Sequence, residues 1–106
     1  MCSMGTVGRL NRTGMEACLG GQFDEAEAKL LTALQLAQSE RGGCTTIKIH
    51  SNLGIVYELK GHPEKARHHY GNALALMKAK KAVHHPLYSR ITQSLARVAV
   101  IDSASG

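Results

Sequence analysis

The sequence predicts an all-α protein, a solenoid of antiparallel helix pairs with five helices in about two and a half repeats. Short blocks of sequence recur about 40 residues apart, and apolar residues recur at intervals of three and four. Units of this length are typical of stacked repeats, and the shorter spacing is that of one helix face. Alanine and leucine are abundant and aromatic residues few, which favours closely packed helices over a sheet.

Two blocks of sequence repeat in phase with each other. The segment 52–57 (NLGIVY) recurs at 94–99 (SLARVA) and more faintly at 12–17 (RTGMEA). The segment 21–26 (GQFDEA) recurs at 61–66 (GHPEKA). Because both blocks return after 40 to 42 residues, a whole structural unit is repeated.

The apolar pattern and its end signals place four of the helices. Acidic residues favour a helix start and glycines its end, so one helix is expected from about residue 24 to residue 40. The next is expected from about residue 45 to residue 60. Prolines favour the first position of a helix, so Pro63 begins a helix that fades near Lys81, and Pro86 begins the last.

A fifth helix is expected before residue 20, and its glycines weaken it. Gly5, Gly8 and Gly14 each cost about 1 kcal/mol relative to alanine inside a helix. The sequence alone leaves open whether this helix docks firmly.

The length of 106 residues suits one domain. We expect a single domain over 1–106, with one repeat at about 7–41, a second at about 47–81 and a terminal capping helix at about 86–101. No apolar run is long enough for a membrane span or a signal-peptide core. The three cysteines form no paired motif, so a reducing, cytoplasmic location is expected.

The net charge of +5 is distributed unevenly. Residues 1–46 carry four basic and five acidic side chains, whereas residues 47–106 carry nine basic and three acidic ones. The second half is therefore expected to attract acidic partners. The most basic run, from Lys78 to His85, has no interleaved aromatic residues to stack on bases. Nucleic-acid or membrane-surface binding is therefore the less favoured interpretation.

The middle unit resembles the tetratricopeptide repeat. That pattern has a Leu-Gly pair, an aromatic residue three positions later, a turn glycine, and then alanine, aromatic and alanine along the second helix. The matching residues are Leu53, Gly54, Tyr57, Gly61, Ala66, Tyr70 and Ala73. The first unit departs at Thr13 and Ala17, where leucine and an aromatic residue are usual. The period exceeds the ordinary 34 residues and resembles the long-helix subtype of kinesin light chains.

The resemblance implies a protein–protein interaction module or scaffold that binds a partner peptide or protein in a concave groove. The first helix of each pair lines that groove. Carried over to this sequence, the groove residues are Asn11, Met15, Lys48, Asn52, Ile55, Leu59, Arg90 and Arg97. Apolar members would contact the peptide and cations would attract its acidic side chains. The alternative is that these positions are merely solvated or packed.

Two further interpretations of the whole chain stay open. It has fewer than the three repeats usually needed to bury a continuous core. It is then either a homodimer formed through the terminal helix or a fragment of a longer array. The apolar stripe of that helix, expected to be half uncovered, consists of Leu87, Ile91, Leu95 and Val98.

The sequence predicts no catalytic residue, cofactor or metal site. No two histidines lie four apart, and the adjacent pair His68-His69 points about 100° apart on a helix. His62 and His85 precede prolines and are expected to cap turns. Cys18 lacks a nucleophile motif and is expected to be a buried or groove-lining thiol.

Overall fold

The computed structural model describes the backbone of residues 3–38 and 44–105 and the side chains of residues 5–38 and 45–99. Over those ranges the chain forms five α-helices and no strand. They are α1 (Ser3–Leu19), α2 (Phe23–Ala37), α3 (Cys44–Lys60), α4 (Pro63–Ala79) and α5 (Pro86–Ser105). The predicted all-α class with five helices is confirmed.

Equivalent glycines end the first helix of each repeat. Gly21 and Gly61 have φ angles of 83° and 81°, in the left-handed region that glycine adopts without strain. After each glycine the next N–H donates to a carbonyl five residues back, from Gln22 to Ala17 and from His62 to Tyr57, both at 2.8 Å. This bond defines a Schellman helix end. The two turns are therefore the same structure used twice.

Tertiary packing holds α1 in place although the helix contains three glycines. Val7 is fully buried, and Gly14 lies against the side chain of Leu30 in α2. Gly5 and Gly8 face open space. Helices in proteins are stabilised mainly by packing of one face, and here Val7 and Gly14 supply that face.

The helices pack on one another in chain order, and α1 also contacts α3. The molecule measures 46 × 34 × 19 Å. The smallest extent equals about two helix diameters, as expected for two layers, with α1, α3 and α5 in one and α2 and α4 in the other. None of the helices in the described ranges is long and apolar enough to cross a membrane.

The middle repeat is packed around Gly54 and Tyr70. Tyr70 is 1% exposed, and a Cβ atom at Gly54 would lie 2.6 Å from its ring atom Cδ1. Ala66 and Ala73 of α4 are fully buried. The absent side chain at Gly54 therefore makes room for the aromatic ring of the next helix.

The stripe of α5 that was expected to be half uncovered is instead part of the core. Ile91 and Val98 are 2% and 0% exposed, and Leu87 and Leu95 are half-buried. The expectation is wrong for Ile91 and Val98, because α5 packs closely on α4.

Candidate partner-binding groove

A shallow groove runs along α3, between α3 and α5. Three adjoining depressions of about 240, 230 and 170 Å³ form it. The first two share Asn52 and Arg90, and the last two share Ile55. Because neighbouring depressions share walls, they form one extended surface that suits a peptide better than a compact small molecule.

One wall of the groove belongs to α3 and the other to α5. The lining residues of α3 are Lys48, Ser51, Asn52, Ile55, Glu58 and Leu59. Those of α5 are Leu87, Arg90, Ile91, Ser94 and Arg97. Asn11 of α1, Tyr70 of α4 and His85 of the α4–α5 connection complete the surface.

Most of the residues assigned to the groove from the sequence meet there. Those that line it are Asn11, Lys48, Asn52, Ile55, Leu59, Arg90 and Arg97. Met15 lines none of the three depressions; it is half-buried and packs against the core. Contact with a partner through Met15 is therefore not supported.

Tyr70, Leu87, Ile91 and His85 are among the lining residues that the sequence did not assign to the groove, for three reasons. Tyr70 belongs to the second helix of its pair, where the repeat pattern marks only a core position. Leu87 and Ile91 were assigned to the half-uncovered apolar stripe of the terminal helix, although they also border the groove. His85 lies in a connection that no helix pattern covers.

An amide pair crosses the groove floor and ties α1 to α3. The Asn52 amide donates to the side-chain oxygen of Asn11 at 2.8 Å. Neither side chain makes another hydrogen bond within the described residues. One amide donor group on Asn11 and the side-chain oxygen of Asn52 are thus available to a ligand.

At the far end of the groove, Arg97 is already paired within the protein. It donates to Glu58 at 2.8 and 2.9 Å, and Tyr70 Oη donates to the same carboxylate at 2.7 Å. The hydrogen bonds from Arg97 hold the pKa of Glu58 below its usual range. Burial, and then the bond to Glu58, raise the pKa of Tyr70. Attraction of an acidic partner by Arg97 is therefore not supported, because its charge is balanced by Glu58.

Among the predicted groove cations, Lys48 and Arg90 remain available to a partner. Both are exposed, and neither makes an ion pair or hydrogen bond with any residue that the structure describes. They flank the same depression as the Asn11–Asn52 pair. Towards the other end lie half-buried Ile55 and Leu59, which is 55% exposed. The groove is therefore cationic at one end and apolar towards the other.

A second polar network ties the middle repeat to α2. Tyr57 Oη donates to Glu27 at 2.7 Å, and Lys60 bonds both Glu27 and Asp24. Burial, and then the bond to Glu27, raise the pKa of Tyr57 to about 12. Tyr57 thus joins α3 to α2 through Glu27, whereas Glu58 joins α3 to α5 through Arg97.

The remaining expectations concern histidine and cysteine. His85 caps a turn, because its Nδ1 accepts the backbone N–H of Leu87 at 3.0 Å. His62 stands at the N-cap of α4 but makes no side-chain capping bond, so that expectation is wrong. Cys18 is buried, and burial raises the pKa of its thiol. Within the described residues, no three His, Cys, Asp or Glu side chains are grouped to hold a metal ion.

The geometry defines a class of protein, an α-solenoid of helix pairs with a groove along its first helices. The family model for the tetratricopeptide repeat matches residues 14–79. The chain belongs to the tetratricopeptide repeat family, whose members generally mediate protein–protein interactions and are typically non-enzymatic. Searches of curated proteins and of solved structures found no match.

Proposed function

We propose that this protein is a scaffold that binds a partner peptide along the groove between α3 and α5. The observation that supports the proposal most strongly is the pair of free cations, Lys48 and Arg90, in line with exposed apolar Leu59. Lys48 and Leu59 are separated by about 16 Å along the helix axis. About five residues of an extended peptide cover that length.

The chemistry of the groove selects the partner. Carboxylates of the peptide would approach Lys48 and Arg90, and its amides would bond to Asn11 and Asn52. A large apolar side chain would lie over Ile55 and Leu59. The two cations are exposed, so their attraction weakens as salt increases, whereas apolar contact persists.

Selection of peptides from a random display library tests the proposal. We expect the selected peptides to combine Asp or Glu with a large apolar residue. Charge reversal of Lys48→Glu with Arg90→Glu should weaken their binding by about tenfold or more, the equivalent of about 1.4 kcal/mol. Isothermal calorimetry at low and moderate salt measures the loss.

Lys78→Glu with Lys81→Glu is the matched control, because both are exposed cations that line none of the three depressions and their reversal changes the net charge equally. It should leave affinity nearly unchanged. Equal loss in this control would mean that the peptides respond to overall charge. Failure to select any binder whose affinity depends on Lys48 and Arg90 would count against the groove as the binding site.

Self-association through α5 is the alternative function, and the observations now support it less. Ile91 and Val98 of the apolar stripe on which it depended are buried, and the exposed positions of α5 include Thr92, Ala96 and Ala99. Light scattering over a concentration series tests it: a stable dimer would support self-association. A place in a longer array of repeats is a further proposal.

The repeat spacing supports a finer assignment. We infer from the period of 40 residues that the chain belongs to the long-period subtype that resembles kinesin light chains. A cytoplasmic location is likewise a proposal, and it rests on the absence of a paired cysteine motif in the sequence.

A further inference from the structure

Two histidines meet between α3 and α4, the two helices of the middle repeat. Nδ1 of His50 and Nδ1 of His69 lie 2.9 Å apart. The His50 residue is 6% exposed, and the His69 ring stacks on the Tyr57 ring with centroids 5.4 Å apart. A contact of this length between ring nitrogens is a hydrogen bond, in which one nitrogen carries the proton and the other accepts it.

The groups of α4 that face the pair are basic. The His68 ring stands edge-on to His69, with centroids 5.1 Å apart. The Lys65 ammonium lies 5.4 Å from the centre of the Tyr57 ring, and His62 in the preceding turn stands edge-on to the same ring at 6.4 Å. Any charge gained by the pair is therefore added to a positive environment.

Two carboxylates of α2, in the network around Tyr57, are engaged elsewhere. Glu27 accepts the Tyr57 hydroxyl and pairs with Lys60, and Asp24 also pairs with Lys60. Within the described residues, no carboxylate bonds to either histidine ring. The pair consequently has no bonded anion to balance a second positive charge.

The ionisation of both rings follows from this setting. Burial lowers the pKa of His50, and His68 lowers it further. Burial, and then the neighbouring His50 and His68, lower the pKa of His69 to about 4. Because the unfolded chain takes up these protons near pH 6.5, the stabilisation is fully present above pH 6.5 and is lost as the pH falls towards 4.

We propose that the His50–His69 contact is an acid-sensitive latch, which holds α4 on α3 while the pair carries at most one positive charge and opens when both rings are positively charged. Two protonated rings would face each other with donors only, and their charges would repel. Because His69 also stacks on Tyr57, which is bonded to Glu27, opening loosens the contact with α2 as well. The inference does not depend on the groove having a partner.

Unfolding by urea at pH 7 and pH 5 tests the latch. The urea concentration at the unfolding midpoint of the unmodified protein should fall from pH 7 to pH 5. In the variant His69→Gln, this fall in the midpoint should be at most about half as large. The reason is that a glutamine amide can bond to His50 without taking up a proton. His84→Gln is the matched control: His84 is exposed in the α4–α5 connection and should leave the whole fall in place.

Titration of the histidine ring protons by NMR on the unmodified protein gives a second, independent readout. Both His50 and His69 should titrate below pH 6.5, with His69 near pH 4. Titration of both rings near pH 6.5 would overturn the proposal. So would an equal pH dependence of the unfolding midpoint in His69→Gln and His84→Gln. If His69→Gln does not fold, the ring titration decides alone.

Discussion

Replacing Gly54 with leucine is expected to destabilise the protein by about 3 kcal/mol or more. A Cβ atom alone would lie 2.6 Å from Tyr70 Cδ1, closer than any relaxed contact. The Tyr70 ring cannot swing away, because it is 1% exposed and its hydroxyl is bonded to Glu58. The loss is a large fraction of the stability of an ordinary small domain. Urea unfolding followed by circular dichroism measures it.

Two other glycines provide the comparison for Gly54. Gly71 lies inside α4 with open space around it, so Gly71→Ala should stabilise the protein by up to about 1 kcal/mol. At Gly14 an added Cβ would meet Leu30 Cγ at 3.1 Å, so Gly14→Ala should be tolerated better than Gly54→Ala. A loss below about 1 kcal/mol for Gly54→Leu would contradict the packing of the middle repeat.

Replacing Glu58 with alanine is expected to cost about 2–3 kcal/mol. The Glu58 carboxylate accepts the buried Tyr70 hydroxyl and also pairs with Arg97, so it joins α3, α4 and α5. Its removal leaves the tyrosine hydroxyl without its partner, and an unsatisfied buried donor costs more than the bond contributes. Thermal unfolding of the variant measures the effect.

The cost at Glu58 can be assigned to the network with two further variants. Glu25→Ala removes an exposed carboxylate that pairs with Lys29 one turn along α2, and it should cost less than about 0.5 kcal/mol. In the background Tyr70→Phe, removal of Glu58 should cost less than in the unmodified protein, because no hydroxyl is left unpaired. Equal costs in both backgrounds would mean that the hydroxyl bond contributes little.

Local rules were sufficient for four of the helices. Prolines at 63 and 86 and glycines at 21 and 61 mark helix ends through backbone geometry that neighbouring residues do not alter. The α1 helix could not be judged in this way, since its glycines lower helix propensity. Packing of Val7 and Gly14 against the neighbouring helices holds α1 in place.

The groove was partly predictable because repeats place equivalent residues at equivalent positions. Ile55 and Leu59 face the same surface as Asn52, as helical periodicity requires. Which charged side chains of the groove are paired within the protein was not predictable. Arg97 and Glu58 are 39 residues apart in the chain, so no local pattern reveals that one neutralises the other.

The histidine pair is the clearest case of a contact that the sequence could not predict. The sequence shows His50 and His69 nineteen residues apart, with no spacing that relates them. Only the antiparallel packing of α3 on α4 places the two nitrogens within a hydrogen bond of each other. The sequence by itself determined α2 to α5, the turns and the repeat, because these depend on backbone preferences and periodicity. The tertiary structure alone decided which charges are free and which rings are joined, because those contacts cross between helices.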